Sequence, residues 1–457
     1  MPQIDVASTP LGKIGYKRIF GIAFPIIQSN LAQNVIAIAD TIFLGNLGEV
    51  ELGAAALASI FYQVMVMVIF GFGVGAQILM SRRLGQGQFK SIGCIFQHTL
   101  WFTLFCALLL YSLFLLFGNS LMAGMLHSPD ILQAVSDYMH VRIYGLFFSL
   151  AIIAFNAFYV GIAHTRTISI ATLIMGGINV VLDYGLVFGV LGLPRMEMQG
   201  AALASVIAEG IGLIAYVLLT YFSSHRKQYL PFGRFRFQFR LIKSLLKVAY
   251  PLMVQYLLSF GNYFLFFLFI EELGQRSLAV ANMTRSLYVI FLLPIWGFAS
   301  TTATLTSYLC GQKRTREIFP VAGKALLLTL LCISVIVGLF FPFREEVLGI
   351  FTHDNTLVPE AFPSCMVVIA ATYLMAVAQI LFNTVLGRGE TKAGFLIETV
   401  NTVFYFLYCW IFIHLDPSCS VAKAFGAEIT YTIGLFVISL AYILIARCFG
   451  NGKIREI

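Results

Sequence analysis

Charged side chains are what this sequence has least of: Asp, Glu, Lys and Arg make up 11% of its 457 residues, against roughly 25% in an ordinary soluble domain. With 59% of the residues hydrophobic, a soluble fold of this length would lack the polar side chains to cover its exterior. The eight cysteines lie scattered, mostly inside apolar segments, with no CxxC pair and no ladder of histidine ligands. They read as small packing residues, neither a disulfide framework nor a metal centre. No GxxxxGK[ST] run is present to cradle ATP phosphates, and no HExxH to hold a protease zinc. The GFGVG run at Gly71 to Gly75 sits inside an apolar helical stretch without the strand a dinucleotide site needs, so close helix packing is its role. The opening MPQIDVASTPLGKIGYKR is polar and lacks the short apolar core and cleavage site of a signal peptide, so the first apolar stretch is expected to be retained.

Long apolar runs are what the sequence does have. Cutting at charge and turn clusters leaves about twelve stretches near or above the ~20 residues that a helix needs to cross ~30 Å of hydrocarbon. They fall approximately at 19–44, 52–80, 94–119, 137–162, 167–190, 199–222, 246–271, 277–309, 320–343, 362–387, 393–414 and 421–447. The expected fold is an all-α integral membrane protein of twelve transmembrane helices.

A formal net charge of +8 invites a nucleic-acid reading, but the basic residues follow the expected membrane and form no binding face. Loops after even-numbered spans carry Arg82, Arg83 and Lys90, then Arg166, then Arg226, Lys227, Arg234, Arg236 and Arg240, then Lys313, Arg314 and Arg316, then Arg388 and Lys392. Loops after odd-numbered spans carry mostly acids: Glu49, Glu51, Asp130, Glu345, Glu346 and Asp354. The positive-inside rule then makes both termini cytoplasmic, which requires an even number of spans.

The chain also repeats itself. Pro25 in GIAFPIIQ and Pro251 in KVAYPLMVQ are 251 − 25 = 226 residues apart. The same offset carries Gly48 onto Gly274, Gly71-Phe72 onto Gly297-Phe298, Ser81 onto Ser307, Gly85-Gln86 onto Gly311-Gln312, Gly161 onto Gly387 and Gly200 onto Gly426. Two homologous six-helix lobes follow, an N-lobe over 1–222 and a C-lobe over 246–457, joined by a basic cytoplasmic linker at 223–245 that is expected to lie on anionic headgroups. Six is even, so the repeats run parallel about an axis along the membrane normal, an arrangement typical of transporters whose site lies between rocking halves.

Against this symmetry, what differs stands out. The offset carries Asp40 onto Phe266 and Asp183 onto Cys409, so two intramembrane carboxylates belong to the first half alone. A charge at helix centre costs roughly 2.5–3.5 kcal/mol on insertion scales, which marks it as a functional candidate facing an interior. Counting inward from the outer boundary puts Asp40 about four residues deep, Ser205 about six and Asp183 about seven, within a few ångströms of one level at 1.5 Å per residue. Asn179 lies one turn from Asp183 on the same face. Such a set suits a small hard cation such as Na⁺, or protons shared between like charges. The alternative makes Asp40 an interfacial cap and Asp183 a structural hydrogen bonder. Four other groups are weaker candidates. Arg285 and Glu428 are expected to pair across the C-lobe, either lining a cavity or as a structural ion pair. Glu209, near mid-depth, is a candidate for a proton relay, and Glu398 is expected to reach cytoplasmic water.

The chain resembles the multidrug and toxic compound extrusion (MATE) transporters over essentially its whole length. The resemblance rests on Pro25 followed fifteen residues later by the Asp of ADTIFLGNLG, on GFGVGAQILMSRRLGQG, on INVVLDYGLVFG and on GAALASVIAE. It implies two six-helix bundles around a central V-shaped cavity, with export of cationic or amphipathic compounds driven by inward Na⁺ or H⁺. It also implies that Asp40, Asn179 and Asp183 match the N-lobe cation site of the DinF-like branch, with Ser205 where a Thr is usual, and that Pro25 is a conformational hinge. The acid that another branch carries early in the seventh span is missing from VQYLLSFGNYFLF. The expectation is therefore a secondary antiporter, with no catalytic residue and no cofactor beyond its coupling ion, working as a monomer in a bacterial inner membrane. One rival is a lipid-linked oligosaccharide flippase, which would need more lumenal cations than Arg142 and Arg285 supply. Another is an intramembrane enzyme, which the two-lobe repeat argues against.

Overall fold

A computed structural model describes residues 14–125, 128–350, 356–416 and 419–449. Asp354 and both chain ends, on which part of the expected loop-charge pattern and the placement of the termini rest, lie outside the described residues. The described chain forms sixteen α-helices: α1 (Tyr16–Gly45), α2 (Glu49–Gly85), α3 (Phe89–Met125), α4 (Pro129–Arg142), α5 (Gly145–Gly161), α6 (Arg166–Phe188), α7 (Glu197–Phe222), α8 (His225–Tyr229), α9 (Phe239–Glu271), α10 (Gln275–Gly311), α11 (Ile318–Phe340), α12 (Arg344–Gly349), α13 (Leu357–Gly387), α14 (Thr391–Cys409), α15 (Val421–Ala424) and α16 (Gly426–Phe449). Helices are the expected outcome, since in hydrocarbon each backbone N–H and C=O must be satisfied within its own segment. Eleven helical stretches are long and apolar enough to cross a membrane, and the bent pair α4–α5 supplies a twelfth span.

That fourth span departs from the single apolar stretch expected at 137–162. It begins at Pro129 and turns by 53° between Arg142 and Gly145. A buried ion pair sits at the bend. A Cβ on Gly145 would lie 2.6 Å from Glu209 Oε2 and would also collide with the Arg142 guanidinium, so a side chain here would displace the pair from its present position. The seventh span differs too: α9 starts at Phe239, inside the stretch expected to be linker. Leu245, Val248 and Ala249 give the start of this helix a buried face while Lys243 and Lys247 stay exposed. The remaining linker is docked on α3. Gln97 Nε2 donates to the carbonyls of Pro231 (3.2 Å) and Gly233 (2.9 Å), and the Gln238 backbone N–H donates to His98 Nε2 at 2.9 Å.

The two lobes close on each other through a pseudo-twofold seam at the end of the molecule that carries the basic loops. Ser81 Oγ donates to the Thr304 carbonyl at 2.7 Å and Ser307 Oγ donates to the Ile78 carbonyl at 2.6 Å. Each partner is the other's repeat mate, since 81 + 226 = 307 and 78 + 226 = 304. Glycines make this approach possible. A Cβ on Gly85 would lie 3.2 Å from Gly311 Cα, and one on Gly311 3.1 Å from Gly85 Cα. Gly71 abuts the Leu252 backbone while its mate Gly297 abuts Ala23 and Ile27. Gln77 donates to Thr304 Oγ1 at 2.9 Å, Arg82 to the Arg388 carbonyl at 2.7 Å, and Lys324 to the Ile14 carbonyl at 2.9 Å. The side-chain hydrogen bonds just named all tie the lobes at this basic end.

Candidate functional site

Helix ends set the depth of each polar side chain in the N-lobe. Asp40 precedes the last residue of α1 by 45 − 40 = 5 residues, and Asp183 precedes the last residue of α6 by 188 − 183 = 5. The two carboxylates are therefore level, ~7–8 Å in from the end opposite the basic loops at about 1.5 Å per residue. Sequence counting had set them about three residues apart. The difference arises because α6 stops sooner than its hydropathy suggests, at Gly189, whose left-handed φ of 71° ends the helix. Ser205 lies eight residues into α7, level with Asn179.

The two carboxyl groups lie within hydrogen-bonding and Coulombic reach of each other. Asp183 is fully buried and Asn179 is 3% exposed. Both Asp183 oxygens, Asp40 Oδ1 and Asn179 Oδ1 are buried without a hydrogen-bond donor. The Asn179 amide is oriented by a long contact, Nδ2 to Ser205 Oγ at 3.4 Å. Asp40 as a residue is half-buried, and acceptor oxygens buried without a donor are costly unless a proton or a cation satisfies them. The nearest positive charge that both carboxylates sense is Arg142, but its guanidinium is already engaged. Arg142 Nη1 donates to Glu209 Oε2 at 3.0 Å and Nη2 donates to Glu209 Oε1, while the guanidinium carbon lies 3.8 Å from the Tyr62 ring centroid. Tyr62 Oη in turn donates to Ser149 Oγ at 2.9 Å. Among the described residues no group of three or more His, Cys, Asp or Glu side chains converges. The oxygen set therefore fits a proton or one monovalent ion better than a transition metal or a many-carboxylate divalent site.

In the C-lobe the expected Arg285–Glu428 pair is not formed. Arg285 lies 5.2 Å from the ring centroids of both Tyr263 and Phe267 on α9, a cation–π setting that needs no anion. Glu428 instead accepts from Tyr288 Oη at 3.2 Å and Tyr405 Oη at 3.0 Å. Glu398 does not reach water: it is 1% exposed and its Oε1 accepts from Ser259 Oγ at 2.7 Å and Tyr431 Oη at 2.8 Å. The helix that carries it is packed between α9 and α16, which leaves no aqueous face at that depth. Phe266 and Cys409, the repeat mates of the two aspartates, are buried apolar packing residues.

A family profile described as MatE matches the chain twice, at residues 25–185 and 251–411. The chain belongs to the MatE family. Both ends of the two matches differ by the 226-residue repeat, 251 − 25 and 411 − 185. Among MatE relatives, a probable multidrug resistance protein NorM of Pasteurella multocida is 26% identical over 94% of this chain and 92% of its own length. A protein of the same description from Thermotoga maritima is 22% identical over 84% and 82%. A solved structure described as the outward-facing conformation of a multidrug resistance MATE family transporter of the MOP superfamily superposes with a TM-score of 0.85. It is 19% identical and covers 97% of this chain and 96% of that one, which fixes the two-lobed MatE fold. The MatE chain is a polytopic membrane transporter and not an enzyme.

Sequence reasoning missed the partners that give these acids their surroundings: Tyr62 and Ser149 in the N-lobe, Ser259, Tyr288, Tyr405 and Tyr431 in the C-lobe. Most carry no signal in a single sequence. The Arg142–Glu209 pair does, since Arg142 is 13 residues from the start of α4 and Glu209 is 12 from the start of α7. Opposite charges at equal depth in one apolar lobe have few other partners.

Proposed function

We propose that this protein is a cation-coupled exporter of the inner membrane, expelling cationic or amphipathic organic compounds in exchange for Na⁺ or H⁺ by alternating access. The observation that carries the reading is the buried, donor-less set of oxygens at Asp40, Asp183 and Asn179, with Ser205 alongside. The coupling ion loads there from the end opposite the basic loops, which is the outer end when both termini are cytoplasmic. A lobe seam closed at the basic end fits an outward-facing state in which that site is reachable. The NorM-described relatives support the substrate class. Pro25 serves as the hinge of α1, the chain acts as a monomer, and no cofactor takes part beyond the coupling ion. A flippase that handles pyrophosphate-linked sugars needs uncompensated basic residues in its lumen. Arg142 is neutralised by Glu209, so the N-lobe offers such a substrate nothing.

The test is efflux of ethidium or a fluoroquinolone from proteoliposomes with Na⁺ and proton gradients imposed separately. Export under one gradient and not without it is the expected result. Failure under both, across a broad compound panel, contradicts the antiporter reading and returns the flippase.

A further inference from the structure

The C-lobe holds two glutamates that the N-lobe coupling scheme does not use, Glu398 buried and Glu428 half-buried, and their setting differs in kind from that of the aspartates. Glu398 on α14 accepts from Ser259 of α9 and from Tyr431 of α16. Glu428 on α16 accepts from Tyr288 of α10 and Tyr405 of α14. Tyr431 is three residues, about one turn, beyond Glu428, and the Tyr405 and Tyr431 rings meet edge-on with centroids 5.9 Å apart. The two glutamates are therefore joined through interleaved tyrosines, Glu398 to Tyr431, Tyr431 against Tyr405, Tyr405 to Glu428. The titratable groups around Glu398 are Tyr256 and Tyr431, and those around Glu428 are Tyr288, Tyr405, Tyr431 and Cys409. Neither carboxyl has an Arg or Lys among the groups that act on it. Close by, the wholly buried Asn401 donates its Nδ2 to the Tyr431 carbonyl at 2.9 Å and leaves Oδ1 without a donor. Gln255 and Asn262, one turn either side of Ser259 and each 5% exposed, also have an oxygen without a donor.

We propose that Glu398 and Glu428, linked by Tyr431 and Tyr405, form a second proton-binding site in the C-lobe. An ionised carboxylate at the buried Glu398 needs a counter-charge, and among the described residues no Arg or Lys acts on either glutamate. A hydroxyl can donate to a carboxylate or rotate and accept from a carboxylic acid. Ser259 and the hydroxyls of Tyr288, Tyr405 and Tyr431 can therefore serve both protonation states without any helix moving far, and the donor-less amide oxygens supply further acceptors for the proton. Bound Na⁺ would need carboxylate oxygens left free of donors, as in the N-lobe. In the C-lobe both Glu428 oxygens and Glu398 Oε1 already accept hydrogen bonds. The location gives the proton leverage, because Tyr288 ties Glu428 to α10, the helix whose far half forms the lobe seam.

The site stands apart from the N-lobe reading and is tested apart from it. Infrared difference spectra of the purified Asp40→Asn/Asp183→Asn protein would be taken between acidic and alkaline pH, in the presence and absence of Na⁺. The Asp40 and Asp183 carboxyls are removed in this variant. A protonated-carboxyl C=O band that grows on acidification and loses intensity in both the added Glu398→Gln and the added Glu428→Gln variant is the expected result. Tyr431→Phe should shift the pH at which the band appears, whereas a merely structural hydroxyl would leave that pH alone. Two results overturn the proposal: no titrating carboxyl band that either Glu→Gln substitution diminishes, or a glutamate signal that responds to Na⁺ and not to pH.

Discussion

At the scale of single residues, the N-lobe sorts its charges by what surrounds them. Asp40 and Asp183 face each other without donors, whereas Glu209, deeper by a few turns, has a guanidinium to itself. Asp40→Asn and Asp183→Asn should each reduce gradient-driven export to background while the melting temperature of the detergent-purified protein stays close to wild type. Each change removes a charge that must be loaded and released and adds amide donors where acceptors crowd. Glu209→Gln is predicted to act on stability. It strands Arg142 at 11% side-chain exposure, a break that costs on the order of 3–5 kcal/mol in buried pairs. A double variant that also replaces Arg142 by Met should regain much of that loss in thermal unfolding. If Glu209→Gln melts like wild type yet abolishes coupling, Glu209 belongs to the proton path and its pairing is secondary. The candidate pair itself was legible in the sequence, because a 226-residue repeat makes Asp40 and Asp183 conspicuous where Phe266 and Cys409 stand opposite. The surroundings of Glu398 and Glu428 were not legible. Hydroxyl donors come from helices distant in sequence, and nothing in a tyrosine's own position reveals that it turns inward.

At the scale of elements, α1 is held in two different ways along its length. Near Pro25 it is tied firmly to α6: Thr165 Oγ1 donates to the Ile22 carbonyl at 2.7 Å, Ser169 Oγ to Gln28 Oε1 at 2.7 Å, and Ser29 and Thr172 share a hydrogen bond of 2.8 Å. Beyond Ser29 the helix shows Leu31, Val35, Ile38 and Ile42 as exposed apolar residues, and its next polar tie to α6 is the Asp40–Asp183 encounter. Loading that encounter with a proton or ion changes the polar hold that the described residues show on the outer half, and Pro25 lacks the N–H that would bond back one turn and so weakens the helix there. Pro25→Ala should therefore slow transport more than Pro251→Ala, whose helix carries the apolar Phe266 in place of the aspartate. Spin labels near the outer end of α1 should move with pH or Na⁺ in wild type and stay fixed in Asp40→Asn. Normal transport by Pro25→Ala together with immobile labels would make rigid rocking of the lobes the better account. The break between α4 and α5 shows why element boundaries outrun sequence reading. Hydropathy runs on through residues 137–162 and carries no mark of the 53° turn before Gly145, where the Arg142–Glu209 pair sits.

At the scale of the whole molecule, the repeat predicted from glycines and prolines reappears as a contact rule: Ser81 with Thr304 and Ser307 with Ile78, Gly85 against Gly311. That much was legible because close approach selects glycine and small hydroxyl residues, and these leave a pattern in sequence. Alternating access requires this seam to open. Gln77→Cys with Ser300→Cys, which replace side chains now 3.3 Å apart, should be bridged through two disulfides by a short bis-methanethiosulfonate crosslinker, and transport should stop until reductant restores it. Continued transport with the crosslink formed would place the moving interface elsewhere. The most direct test of the central claim, that the N-lobe carboxyl pair couples ion entry to export, is substrate movement in proteoliposomes of wild type, Asp40→Asn, Asp183→Asn and a variant with Phe266→Leu and Cys409→Ala. With an imposed ion gradient, wild type and the C-lobe variant should accumulate substrate against its own gradient, while neither aspartate variant does. Accumulation by both aspartate variants at the wild-type rate would contradict the account.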